Sequence, residues 1–504
     1  VPERQSEYTN MTFIQEIEMS INKQKIALTI VILLTGAAVS TGASVGSGAL
    51  ERAIMNDVKD FGATGNGRVD DTVALQKAVD SRTGYIHLKG VYRITKPIVI
   101  NLDKVGYTSF VGDGVAKIVM DGPGPALKFV GTHLKSADPD QIAENVWERQ
   151  RMPIVDCLAI EGRHPEAVGI EAVGTMQLTI TRVLIRHVLH CIHLTGNNRN
   201  LIISNCHLYD NRGVGVFYDD VNLHQSNITG CHISYNRRGG IVSRGGNVRN
   251  IQITGCDIES NMSPETPPTA NILIDSADSA YGTGEVAVTG CTIQHNSPSP
   301  DSANIRIIGR SKPDRNGKPV REGNVTITGN VLSDVKVNVH LQDCRGIVLV
   351  GNTFWMGYDH NLLIEGCSNI IVGANNFDRN PRYDYGNSLD ARNSLLVRNS
   401  ADCTLTGLHI TNVWKAPAGL MIENCKRMNL TDCEILDCDN VGLLLRDVDD
   451  SRVSGCLISD NRPGAESVSL KVAGGRGNMI INNLLSSAPQ IPENAAHVSG
   501  NIQP

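Results

Sequence analysis

Between Leu201 and Ile258 the chain writes one pattern of apolar and polar positions three times. Leu201-Ile-Ile-Ser-Asn-Cys-His-Leu, Ser226-Asn-Ile-Thr-Gly-Cys-His-Ile and Ile251-Gln-Ile-Thr-Gly-Cys-Asp-Ile each alternate with period two. That alternation predicts short strands with one buried face, separated by Asn, Gly and Asp turns. Cys206, Cys231 and Cys256 fall 25 residues apart. A second apolar run lies between them, as in Gly213-Val-Gly-Val and Gly240-Ile-Val. A unit this short cannot bury its own apolar face and must stack on a neighbour. Its β-rich composition selects a parallel β-helix over a helical solenoid.

The pattern runs on to the C-terminal region. The position of Cys206 recurs at Cys291, Asn330, Asn352, Asn375, Leu408, Cys433, Cys456 and about Asn483. The second run recurs at Ile192, Ile272, Ile305, Val339, Leu362, Leu395, Leu420 and Leu443. Three steps are long: Cys256 to Cys291, Cys291 to Asn330, and Asn375 to Leu408. The excess must leave the coil as loops, because the coil has a fixed perimeter. Equivalent residues on stacked coils are about 4.8 Å apart, so each column of the repeat becomes a ladder.

Upstream stands Val58-Lys-Asp-Phe-Gly-Ala-Thr-Gly-Asn-Gly-Arg-Val-Asp-Asp-Thr-Val-Ala-Leu-Gln-Lys-Ala-Val-Asp80. Asp70 or Asp71 can N-cap a helix whose apolar face is Val73, Leu75, Ala78 and Val79. Such a helix can cover the end of a solenoid, which otherwise exposes unpaired strand edges. Asp60, Asp70 and Asp71 read as turn and cap residues. The stretch Asp57–Tyr92 resembles the opening of the pectate-lyase-like superfamily, in particular the domain shared by rhamnogalacturonases, epimerases and phage tailspikes. The resemblance implies an all-β chain, a single-stranded right-handed parallel β-helix with an N-terminal capping helix. It also implies that a polysaccharide cleft runs along one parallel sheet, walled by the long loops.

The remaining features bound the picture. Aromatic residues are 4% of the 504, and the net charge of −6 argues against a nucleic-acid partner. An acidic sugar polymer is still accessible to a local basic cleft. Met19-Ser-Ile-Asn-Lys-Gln-Lys, the apolar run Ile26–Ala38 and the small residues to Ala49 read as a signal peptide with Met19 as the start. The apolar run is shorter than the ~20 residues of a membrane span. The expected organisation is an N-terminal extension and signal peptide over 1–49, the β-helix over 50–485 and a tail over 486–504. A secreted, periplasmic or cell-surface location follows, with no membrane partner beyond the signal peptide. Asp138–Arg151, with Trp147, has helical composition and must pack outside the coil.

The cysteines number 13. Export suggests disulfides, but Cys alternates with Asn in one column, and Cys344, Cys367, Cys403 and Cys425 form a second. Both predict free thiols stacked at coil corners. With no Cys-x-x-Cys pair, metal ligation by cysteine is not expected. Asn271, Asn304, Asn338 and Asn361 predict a ladder of stacked amides.

In polygalacturonases the catalytic acids stand where a Gly-Ile-x-Ile strand starts. The equivalent starts here lack that family's Asn-Thr-Asp, Gly-His-Gly and Arg-Ile-Lys signatures, and Asp219-Asp220 and Asp449-Asp450 read as turns. The richest constellation is Trp355-Met-Gly-Tyr358-Asp359-His360-Asn361 and the long loop from Phe377 to Arg392. By ladder geometry Asp359 and His360 face Asp390 and Arg392 one coil on, at roughly 5–8 Å. These four are the catalytic candidates. Tyr358, Tyr383, Tyr385, Trp414 and Lys415 are substrate-binding candidates beside them, and His190 and Arg212 head a second, smaller cluster. Two chemistries fit. β-Elimination needs a base (His360 or Tyr383) and a cation, Arg392 or a bound Ca²⁺. Glycoside hydrolysis needs two carboxyls, Asp359 and Asp390. The expected function is an exported enzyme on an extracellular, acidic polysaccharide, by lyase or hydrolase chemistry, with epimerisation sharing the lyase's proton abstraction. A non-catalytic glycan-binding or structural protein is the alternative.

Overall fold

Alternating apolar positions stack because each coil turns back over the last. The computed structural model describes residues 57–134, 138–384 and 386–503. The signal segment and Tyr385 lie outside these residues. In the repeat, each coil carries three short strands, and each strand pairs in parallel with its counterpart one coil on. The first sheet aligns Ile192, Val216, Ile241, Ile272, Ile305, Val339, Leu362, Leu395 and Leu420. The second aligns Ile203, Ile228, Ile253 and Val288. The third is a sheet of 16 strands, with Leu208, Ile233, Ile258 and Ile293 in register. All these residues are buried and belong to one continuous core.

The corners explain the sequence columns. Asn205, Gly230 and Gly255 turn the chain with φ of +53°, +59° and +60°, a left-handed conformation that favours Gly, Asn and, at Asp432 further on, Asp. The next residue, Cys206 or its equivalent, points inward. The Cys206 amide meets Cys231 Sγ at 3.4 Å, and that of Cys256 meets Cys291 Sγ at 3.5 Å. Asn replaces Cys in the same job: Asn330 Nδ2 donates to Asn352 Oδ1 and Asn352 Nδ2 to Asn375 Oδ1, at 3.0 and 2.9 Å. All thirteen thiols are free, and twelve are buried. The second column departs from expectation. Ser400, and not Cys403, accepts from the Cys367 amide and donates its own amide to Cys425 Sγ. Ser, like Cys, is a small acceptor and fills the corner equally well.

The asparagine ladder is longer than the sequence suggested. Asn211, Asn236, Asn261, Asn271, Asn304, Asn338 and Asn361 form an unbroken chain of amide hydrogen bonds at 2.7–2.9 Å. Each satisfies a polar group inside an apolar core, where an unpaired amide is costly.

The helix Thr72–Asp80 forms, with Leu75, Ala78 and Val79 in the core. Val73, expected on the apolar face, is 65% exposed, and Ala74 takes the buried place. Asp71 sits at the N-cap but makes no cap bond; it accepts instead from Thr64 and from the Gly65 amide. Asp70 accepts from Thr72 and Thr95. The insertion folds into short helical turns at Pro139–Gln141 and Val146–Gln150, which pack Ile142 and Val146 against Met176. Past Leu485 the ladder continues: Ala496–Ser499 pairs with Asn478–Ile481, and Ile502 bridges to Leu484. No helix among the described residues is long and apolar enough to cross a membrane.

Candidate functional site

The long loop after Phe377 leaves the third sheet and returns to the first at Ser394. Its first half makes a turn at Pro381–Tyr383 and its second a turn at Ser388–Asp390. The loop is pinned by Arg379, whose guanidinium donates to the carbonyls of Asn412, Ser388 and Ala391. Burial pulls the Arg379 pKa down from its usual value.

Beside this loop, strand Gly357–Glu365 carries Asp359 and His360. The ladder places Ser394, and not Asp390 or Arg392, opposite His360. Asp390 and Arg392 precede the strand, which starts at Ser394, and a register shift at this step puts Ser394 in place of Asn393 opposite His360. His360 Nδ1 lies 2.7 Å from Ser394 Oγ, and Ser394 Oγ donates to Asp359 O at 2.8 Å. Because the serine proton is committed to that carbonyl, the Nδ1–H must donate to Ser394. The basic lone pair of His360 therefore sits on Nε2. The ring is half-buried. Burial lowers its pKa; Asp359 opposes this shift, and Arg392 and Arg398 reinforce it. At neutral pH His360 is an unprotonated base.

Arg392 Nη1 is 4.0 Å from Asp359 Oδ1, and both side chains are about half exposed. Asp390 turns away and pairs with Lys415 at 3.1 Å, both well exposed. Thus Asp359, His360 and Arg392 converge, and Asp390 stands apart with Lys415. Of the two carboxyls considered for hydrolysis, Asp390 is thus held by Lys415 and Asp359 faces Arg392. Tyr358 is buried and donates to Asn387 Oδ1 at 2.9 Å, which ties it to the loop instead of leaving it on an open surface.

The sequence reading missed the next charges along the same face. Glu365 accepts from Arg398 Nε at 2.5 Å and lies 2.6 Å from His340 Nε2. Burial works against the Glu365 charge, but hydrogen bonds from Arg398 and His340 outweigh it and hold the carboxyl below its usual range. Arg306, one coil before His340, is 5% exposed. Arg306 and His340 stack at one outward position of the first sheet, and Gln342, Glu365 and Arg398 at the next outward position along the strand.

Under the loop lies a cavity of about 160 Å³, lined by Trp355, Tyr383 and Trp414 with Arg379 and Asn393. Trp355 stacks on Tyr383 at 4.2 Å, and the Arg379 guanidinium lies 4.0 Å over the Trp414 ring. Tyr383 and Trp414 are therefore brought together as expected.

His190 and Arg212 form no joint site. His190 packs against His193 and Phe217 with ring centroids at 5.4 and 5.1 Å, and its Nδ1 accepts from the Val214 amide. Burial pushes its pKa down to about 4. Arg212 donates to the carbonyls of His164 and Pro165 and serves as a tether. Asp219 pairs with His193 at 2.9 Å, while Asp220 and Asp450 hold left-handed turns.

Two family profiles match. Residues 55–301 match the family described as rhamnogalacturonase A/epimerase, pectate lyase-like. Residues 289–448 and 385–501 match that described as periplasmic copper-binding protein (NosD). Among the described residues no cluster of three or more His, Cys, Asp or Glu side chains is placed to hold a metal ion. No curated protein matches by sequence. Among solved structures, an N-terminal fragment of gene product 12 of bacteriophage phi29 is 14% identical, with a TM-score of 0.50, covering 90% of this chain and 73% of that one. Tailspike protein 3 of bacteriophage CBA120 is 12% identical, with a TM-score of 0.41; the match covers 92% of this chain and 65% of the tailspike. The A-module of a mannuronan C-5 epimerase of Azotobacter vinelandii is 15% identical, with a TM-score of 0.35, covering 89% and 96%. The coil register, the three stacked sheets and the profile over the first half lead to one statement: the chain is a pectate-lyase-like parallel β-helix protein.

Proposed function

We propose that the chain is an exported, carbohydrate-active protein that abstracts a proton from the uronate units of an acidic polysaccharide. His360 is the base, and Arg392 is the cation for the sugar carboxylate. The observation that carries the reading is the Asp359 carbonyl–Ser394–His360 relay, which leaves the Nε2 lone pair available on a ring kept neutral by burial. A proton α to a carboxylate is acidic only when the developing negative charge is stabilised, and a guanidinium beside the base supplies that. His360 Nε2 takes the proton from C5. In elimination the C5–H electron pair forms the C4–C5 double bond as the C4–O bond breaks. In epimerisation the carbanion is reprotonated from the other face. The likeness of residues 55–301 to a family described by rhamnogalacturonase and epimerase supports a carbohydrate substrate. Hydrolysis is less well supported, because Asp390 is committed to Lys415. That same pairing favours the second reading, a glycan-binding protein without turnover.

The test is a panel of acidic polysaccharides, read by absorbance of unsaturated uronate, by new reducing ends and by exchange of the C5 proton with solvent deuterium. His360→Ala should cost at least ~100-fold in turnover, the scale of a lost general base. Since burial lowers the His360 pKa, kcat/KM should hold as pH falls through ~6.5, the ordinary histidine value, and drop only below it. Binding without turnover or C5 exchange on any polymer of the panel would leave the non-catalytic reading standing.

A further inference from the structure

We infer that the cavity under the Phe377–Ser394 loop is a separate binding pocket for one carboxylate-bearing sugar ring, an anchor for the chain that His360 acts on. The inference deepens the proposed function and rests on it for the substrate class.

The argument starts from donors without acceptors. Trp414 and Asn393 are among the lining residues, and their Nε1 and Nδ2 atoms are buried with no hydrogen-bond partner. The Asn393 side chain belongs to a residue only 2% exposed, and its Oδ1 is occupied by the Gly357 amide at 3.0 Å. Its amide nitrogen is thus oriented as a donor. A buried donor left unpaired is costly, so two of them on residues around one space call for an acceptor from outside. The charge agrees. Arg379 lies along the wall and spends its donors on backbone carbonyls, with no carboxylate within ion-pair distance among the described residues. A wall carrying a guanidinium and two residues with unpaired buried donors favours an anion with at least two oxygens, with Asp384 at the rim as the one opposing charge.

The remaining walls select a ring. Trp355, Tyr383 and Trp414 present apolar faces, which suit the C–H face of a pyranose. The volume of about 160 Å³ is close to the ~150 Å³ of a cavity that holds one benzene, so the enclosed space has room for one ring and not for two. The lining residues Asn380, Asp384 and Leu389 are exposed, so the cavity opens to solvent. Asp384 on that rim is the one carboxylate of the lining and opposes an anion, so the sugar carboxylate must sit on the Arg379 side, away from it.

Two of the three tryptophans line the pocket, so intrinsic fluorescence reads it directly. The probes are galacturonate, glucuronate and mannuronate, against galactose, glucose and mannose, with sodium acetate as the salt control. A saturable change with at least one uronate and none with the neutral sugars or acetate is expected. Trp414→Phe keeps the ring and removes only the donor. It should weaken uronate binding about tenfold or more, the scale of a hydrogen bond to a charged group, read through Trp355. Leu389→Glu, a surface change at the rim, should weaken it several-fold by repulsion and covers the case in which Trp414→Phe fails to fold. His360→Ala should bind uronate like the parent while losing turnover. Uronate binding that ignores both Trp414→Phe and Leu389→Glu would overturn the pocket while leaving catalysis untouched, as would a response equal to that of acetate. Binding that obeys both variants in a protein with no turnover would sink the catalytic reading and keep the pocket.

Discussion

His133 shows what a solenoid demands of a single polar side chain. It is 2% exposed, its Nε2 has no partner, and burial with the nearby Arg199 charge pushes its pKa down to about 4. In the unfolded chain an ordinary histidine titrates near 6.5. Between those values the unfolded chain takes up a proton that the folded chain refuses. The stabilisation is therefore complete above pH ~6.5, falls as the pH drops towards ~4 and is constant below that. The interval corresponds to about 3 kcal/mol for His133. His190, also pushed to about 4, acts in the same direction. Urea unfolding of the parent between pH 7 and pH 4 should show this decline. In His133→Asn the decline should be smaller by about 3 kcal/mol, because the carboxylates that titrate in the same window are common to both proteins. An identical pH dependence in the two would mean that His133 is protonated in the folded state.

At the scale of elements, the helix Thr72–Asp80 and the long loop teach opposite lessons. The helix was legible because a 3.6-residue period needs only its own sequence. Even there the face was off by one residue, since Val73 is exposed and Ala74 buried. Leu75 is fully buried against the first coils. Leu75→Asp should cost at least ~3 kcal/mol, losing a buried apolar side chain and placing a charge in its space. A thermal melt unchanged from the parent would show that the helix is not part of the cooperative unit. The loop was legible only as a length excess. Its composition flagged Asp359, His360, Tyr383, Arg392 and Trp414, and all of these do gather around it. The pairing within the set was not readable, because a one-residue register shift puts Ser394 opposite His360 in place of Asn393, and Asp390 lies in a loop turn where it meets Lys415. Glu365, His340 and Arg398 were missed for a related reason. Their importance comes from stacking outward positions on successive coils, and no single segment displays that.

At the scale of the molecule, the fold was legible because a solenoid writes each contact into the sequence many times. A column of Cys and Asn at one corner, or of Cys and Ser at another, has no meaning within a coil and a clear one between coils, where each side chain meets the amide of its neighbour. The same geometry makes the last prediction. Corner thiols on adjacent coils face backbone amides and carbonyls: Cys206 Sγ contacts Ser204 O, and Cys231 Sγ contacts Thr229 O. Such thiols are small core groups and stay reduced even in an exported protein, because oxidising one pair would pull two of them out of their corner contacts. Burial raises the Cys403 and Cys438 pKa to about 12, so neither is a thiolate at pH 8. Cys157 alone is only partly buried. A thiol reagent added to the folded, never-reduced protein at pH 8 should therefore count close to one group, and the same reagent in denaturant should count all thirteen. A count near one in denaturant would mean six disulfides, and the corner ladders would have to be abandoned. A count near thirteen before denaturation would mean that the coils open fast enough for the reagent to enter, so that the stacked columns are not the rigid spine of the solenoid.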